Sequence, residues 1–157
     1  MKITFLGGAG EVGRSGVLFE TGDKRFIVDY GIKVNDRAPA ELPLVPQKKV
    51  HEAVISHAHL DHIGFLPMIY ERENVPWHAT PPTHALAELL IEDAMKVQRL
   101  NGFENPFTED SFERAMGRFS PVRYNEPVKM RCGGELTMHD AGHILGASMC
   151  DINIENK

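Results

Sequence analysis

The order of patterns along the chain predicts a mixed α and β fold. Three observations carry this: β-prone runs with turn residues between them at the start, a long helical periodicity in the middle, and short β-prone runs again at the end. Residues 2–6 set Ile3 and Phe5 around Thr4 and read as a strand, followed by a glycine-rich loop over 7–16. Apolar runs at 17–19 and 26–28, joined through Thr21-Gly22-Asp23, predict a hairpin that Asp29-Tyr30-Gly31 closes. Residues 32–49 contain Pro39, Pro43 and Pro46 with no period, the mark of an irregular loop.

A further strand over 50–55 runs directly into Ser56-His57-Ala58-His59-Leu60-Asp61-His62. Residues 63–73 then read as a helix, with Pro67 in or near its first turn, and 75–79 as a short strand. Pro81-Pro82-Thr83 opens the strongest helix, reaching about Leu100. Its expected apolar face is Ala85, Leu86, Leu89, Leu90, Ala94 and Val97, and its wet face Glu88, Glu92, Asp93, Lys96 and Arg99. After a loop at 101–107, a short helix is expected over 110–118 with Asp110 or Ser111 as N-cap. Runs at 122–124, 128–131, 135–139 and 147–154 return to β, with Gly133-Gly134 as a tight turn.

Composition narrows the function classes. With 42% hydrophobic and 25% charged residues the chain is of ordinary globular type. Its apolar runs stay well below the roughly 18 residues of a membrane span, and the stretch before the first glycines is too short for a secretion signal. No membrane association and a cytoplasmic location are therefore expected. Cys132 and Cys150 stand far apart in no CxxC pair and read as reduced, buried thiols. The net charge of −5 argues mildly against a nucleic-acid partner. Metal can neutralise some of the acids, however, and a basic groove can lie on polypeptide outside this chain.

The chemistry concentrates in His57-x-His59-x-Asp61-His62. Zinc takes imidazole nitrogen and carboxylate oxygen, usually four ligands in all. Residues two apart in an extended segment point the same way, so His57 and His59 can converge on one ion. Asp61 and His62, just past the bend, can face a second. Capping or surface roles would explain one histidine but not three with an aspartate in six residues. His143, in a loop flanked by Gly142 and Gly146, would complete a three-histidine set with His57 and His59, leaving a position open for water. His139 is expected on the strand's other surface or in a local hydrogen bond, and His51, His78 and His84 as structural or surface residues. Gly8-x-Gly10-x-x-Gly13 superficially matches a dinucleotide fingerprint, but a hairpin stands where that motif needs a helix.

HAHLDH after a strand, with the earlier Asp29-Tyr30-Gly31, resembles the metallo-β-lactamase superfamily. FLGGAGEVGRSG, TPPTHALAELLIEDA and AGHILGAS narrow the resemblance to the β-CASP ribonucleases, and within them to archaeal homologues of the cleavage and polyadenylation specificity factor. The resemblance implies an αββα sandwich with two zinc ions at its rim. His57, His59 and His143 would hold one ion, Asp61 and His62 the other and the catalytic chemistry with it, and Asp29 would steady the metal loop. It also implies a bridging aspartate on a later strand and an inserted β-CASP domain, which this sequence does not contain; Asp151 is a poor substitute because it falls within the strand after His143. Residues 1–157 are accordingly expected to be the N-terminal part of the metallo-β-lactamase domain.

The expected function is zinc-dependent hydrolysis of RNA, with a second polypeptide or self-association supplying the missing half, and little activity from the isolated chain. The alternatives are a small-molecule metallo-hydrolase of the thioesterase or lactonase type, and a non-catalytic scaffolding subunit. Intact ligands speak against the scaffold.

Overall fold

A computed structural model describes residues 1–35 and 38–154. A six-stranded sheet is built from β1 (Lys2–Gly7), β2 (Gly16–Thr21), β3 (Lys24–Tyr30), β4 (Glu52–Val54), β5 (Trp77–Ala79) and β6 (Phe119–Pro121), neighbours in that order. β1, β2 and β3 pair antiparallel, and β3 to β6 pair parallel. A three-stranded antiparallel sheet of β7 (Val128–Lys129), β8 (Glu135–Asp140) and β9 (Ser148–Asn153) packs against it. The 2–3 hairpin is as expected, which removes the helix that a dinucleotide fingerprint needs.

Two apolar clusters make the layers. On one side of the large sheet, Ile27, Ala53, Ile55 and Trp77 pack with Ala87, Ile91 and Met95 of α2 (Pro81–Leu100) and with Ala115 of α3 (Glu109–Gly117). On the other, Phe26 and Val54 meet Met130, Leu136 and Met138 of the small sheet. Helices, sheet, sheet is the layering that the sandwich reading requires.

Several local expectations are corrected. Residues 63–73 are not one α-helix: α1 covers only Leu60–Ile63, and a 3₁₀ turn runs over Leu66–Glu71. Pro67 enters that turn where its missing N–H costs nothing, but it cannot extend an α-helix back through Gly64. α3 is capped by Thr108, whose hydroxyl accepts the Ser111 N–H at 3.2 Å, rather than by Asp110 or Ser111. The strand near 122 lies earlier, as β6, because parallel pairing to β5 selects Phe119 to Pro121.

The buried face of α2 is rotated from the expected one. Thr83, Ala87, Ile91, Met95 and Gln98 are buried, whereas Leu89 and Val97 are 62% and 43% exposed. Thr83 on this face hydrogen-bonds to the Gly146 carbonyl, and Ala87, Ile91 and Met95 pack in the core cluster. Cys132 is buried as expected, but Cys150 is only partly so, at the open edge of β9; both thiols are free.

Candidate metal centre

The candidate ligands lie on loops at the carboxyl ends of β3 and β4 and in the β8–β9 turn, where open α/β sheets place their ligands. β4 leads through Ile55 and Ser56 into His57 and His59, and α1 carries Asp61 and His62. At the neighbouring strand end Gly31 packs directly on this motif. A Cβ there would lie 1.9 Å from the Asp61 carbonyl carbon, so any side chain would displace the metal loop.

His143 arrives from the other sheet. The Ser148 N–H donates to the Ser56 carbonyl at 2.8 Å, joining β9 to the residue before His57. The hydroxyls of Thr80 and Thr83, at the start of α2, donate to the Gly146 carbonyl at 2.7 and 2.9 Å. Gly146 has φ +85°, and a Cβ on it would meet Thr80 Oγ1 at 2.7 Å, so only glycine fits. The TPPT and GHILG stretches are thus two halves of one clamp.

The clamp brings three imidazoles together. His57 Nε2 lies 3.1 Å from His59 Nδ1, and His143 Nε2 lies 3.3 Å from the same atom. All three nitrogens fall within 4.8 Å of one another. A tetrahedral zinc with arms of about 2.0–2.1 Å needs ligand separations of about 3.3 Å. The donor set fits the ion in type and spacing. Asp61 Oδ2 and His62 Nε2 stand 3.6 Å apart beside it, and the His57 and His62 rings are 4.1 Å apart.

Asp29 organises both groups. Its φ of +54° is unusual for a residue with a side chain, and aspartate is among the few that tolerate it. Its carboxylate accepts the Ser56 N–H at 2.8 Å, the Ser56 hydroxyl at 2.9 Å and His62 Nδ1 at 2.7 Å. With its proton given to Asp29, Ser56 Oγ is an acceptor for His57 Nδ1–H at 2.9 Å. In the neutral rings one carboxylate thereby places the proton on Nδ1, of His57 through Ser56 and of His62 directly, which leaves Nε2 as the nitrogen able to bind metal. Burial, then the charge of His62, holds the His57 pKa down at about 4, so His57 is neutral near pH 7. Burial also opposes charge on His62, but the hydrogen bond and charge of Asp29 outweigh it and raise its pKa.

Ser56, Thr80 and Thr83 were not singled out by sequence reasoning. Ser56 directly precedes the histidine motif, and hydroxyls beside metal-binding histidines are the signal available for it. The remaining histidines are engaged elsewhere. His139 Nδ1 contacts Asn125 Oδ1 at 2.8 Å, and His51 Nδ1 accepts the Arg25 N–H at 3.1 Å. His78 pairs with buried Glu52 at 3.1 Å, and His84 stacks on Phe119. Asp151 pairs across from Thr137, on the face of β9 opposite the one that carries Cys150, as its strand position implies.

The family model for the metallo-beta-lactamase superfamily matches residues 9–144. The chain belongs to the metallo-beta-lactamase superfamily. Curated relatives are called "Transcription termination factor FttA". The one from Methanocaldococcus jannaschii is 33% identical over 98% of this chain, and the one from Pyrococcus horikoshii 35% over 99%. The chain spans about a quarter of their length, 25% and 26% respectively, which fits an N-terminal part. The β-CASP resemblance read from the three stretches agrees with these relatives. Among solved structures, a protein of unknown function from Enterococcus faecalis V583 superposes with a TM-score of 0.64 at 19% identity, covering 97% of this chain and 40% of that one. Rm3 metallo-beta-lactamase gives 0.57 at 16%, covering 98% and 54%. These two establish the metallo-beta-lactamase fold alone.

Proposed function

We propose that this chain is the N-terminal part of a zinc-dependent ribonuclease that hydrolyses RNA phosphodiesters, and that it needs further polypeptide for activity. The observation that carries this is the convergence of His57, His59 and His143 from two sheets on one point, with Asp61 and His62 beside it. A scaffold has no use for three imidazoles held at coordination distance. Relatives named as transcription termination factors make RNA the substrate favoured over a small ester.

His57, His59 and His143 would hold one zinc ion, and Asp61 and His62 would contribute to a second. When bound, zinc acts as a Lewis acid and lowers the pKa of water toward about 7. The chain's own residues supply position. Asp29 and Ser56 set the tautomers, and the Thr80–Thr83 clamp holds His143 in reach. Among the described residues Asp61 and His62 are the two donors at the second position, so this reading takes a bridging carboxylate from further polypeptide. RNA and a complementing polypeptide are the partners, and the cytoplasm the compartment, that this reading requires.

Titration of the purified chain with zinc against a chromophoric chelator tests it. One tight ion per chain is expected, with affinity at least 100-fold lower in His143→Ala. Unchanged affinity in that variant would remove His143 from the site and the reading with it.

A further inference from the structure

α2 carries a second apolar face. Leu86, Leu90, Asp93, Val97 and Leu100 recur at alternating intervals of four and three residues, the spacing of a helix-packing seam. At about 100° per residue these five and Leu89 all fall within about 60° of Asp93. The buried residues Ala87, Ile91, Met95 and Gln98 lie on the far side, so the seam points away from the sheet. Leu86 and Leu90 still touch the core cluster, but Leu89, Val97 and Leu100 are 62%, 43% and 76% exposed.

Two charges belong to the seam, Asp93 at its centre and Lys96 on its border. Arg99 pairs with Glu109 and Arg114 with Asp110, whereas neither Asp93 nor Lys96 has an ion-pair partner among the described residues. A polar residue at one position of an apolar seam costs stability and sets register. Leu89, Asp93 and Lys96 also line a shallow groove of about 280 Å³.

We propose that this seam is the contact surface for a second copy of this chain, with the two α2 helices packed antiparallel about a two-fold axis between Ala94 and Met95. That axis sets Asp93 against the partner's Lys96 and Leu89 against the partner's Leu100, and the symmetry repeats both contacts. The incoming leucine enters the groove beside Leu89. Parallel packing would set Asp93 against its own counterpart, where like charges repel. The seam thus carries its own complement in apolar contacts and in charge, which selects a second copy over an unlike protein.

α2 has 20 residues and is about 30 Å long, so one helix pair stands at the low end of interface sizes, the class of weak association. A dissociation constant of about 10–100 µM is expected of it. The Thr80 caps fall at opposite ends of the pair, about 40 Å apart along the axis, which keeps both histidine clusters away from the contact. The proposal goes beyond the ribonuclease reading and does not rest on it.

Sedimentation equilibrium of the full chain from about 5 to about 300 µM brackets that constant and tests the contact. The weight-average mass should rise from that of one chain toward that of two. Leu89→Glu and Leu100→Glu, both at exposed positions, should keep the circular dichroism spectrum and weaken association at least tenfold. Asp93→Lys and Lys96→Asp should each weaken it about fivefold at low ionic strength, because each turns two attractive pairs into repulsive ones. The double variant D93K/K96D exchanges the charges and should restore it. Three results overturn the proposal: a monomer at every concentration, a dimer that the leucine substitutions leave unchanged, or a double variant that associates no more tightly than the single ones.

Discussion

Ser56 is the residue on which the two histidine groups turn. Its hydroxyl passes the demand of the Asp29 carboxylate to His57 Nδ1, while its N–H holds the same carboxylate in place. Hydrogen-bond partners of metal-ligating histidines are worth about 10–100-fold in affinity. Ser56→Ala should therefore weaken zinc binding by that order while leaving the fold intact, since the backbone hydrogen bond remains. Ser56→Thr, which keeps the hydroxyl, should restore it. Equal affinities in the chelator competition for all three proteins would deny Ser56 this role. The candidate ligands His57, His59, Asp61 and His62 were legible from their spacing, and His143 from its glycine-flanked loop beside that cluster. Ser56 was not, because its role depends on Asp29 arriving from β3, 27 positions away in sequence.

At the scale of elements, β4 and the β7–β8 hairpin are joined by one buried carboxylate. Glu52 has no exposed surface and accepts the N–H of Cys132 at 2.6 Å, that of Arg131 at 3.0 Å and His78 Nε2 at 3.1 Å. Burial alone would raise its pKa, but these donors outweigh it and bring it down from 4.5 to about 2. The depressed value means that Glu52 stabilises the fold above its unfolded pKa and that this contribution, of order 3 kcal/mol, is lost as pH falls from about 4.5 to about 2. Urea midpoints measured across that window should drop steeply. Glu52→Gln should flatten the drop and lower stability at pH 7, because an amide nitrogen faces donors it cannot accept from. An unaltered acid profile in the variant would show that another group controls it. The same scale explains the misread face of α2. Hydropathy selects Leu89 and Val97, but the face that packs on the sheet carries Ala87, Ile91 and Met95, with Thr83 on the same face bonded to the Gly146 carbonyl.

For the whole molecule, the proposed function has a direct consequence. On that reading Asp61 and His62 are the two donors at the second position among the described residues, and the three histidines that converge nearby serve the first. The isolated chain should cleave labelled RNA no faster than a chelator-treated control, even when loaded with zinc. Robust, chelator-sensitive cleavage on a gel would mean that one ion suffices. No helix among the described residues is long and apolar enough to cross a membrane.

The sequence by itself determined the strand–helix–strand order, the hairpin, the length of α2 and the histidine constellation, because each is written in local period, turn chemistry or ligand spacing. Tertiary structure alone decided which face of α2 is buried, where the 63–73 helix breaks, and that Ser56, Thr80 and Thr83 join Asp29 in holding the candidate ligands in register. Those outcomes depend on side chains and carbonyls that meet only after the two sheets have packed, and no window of sequence contains both members of such a contact.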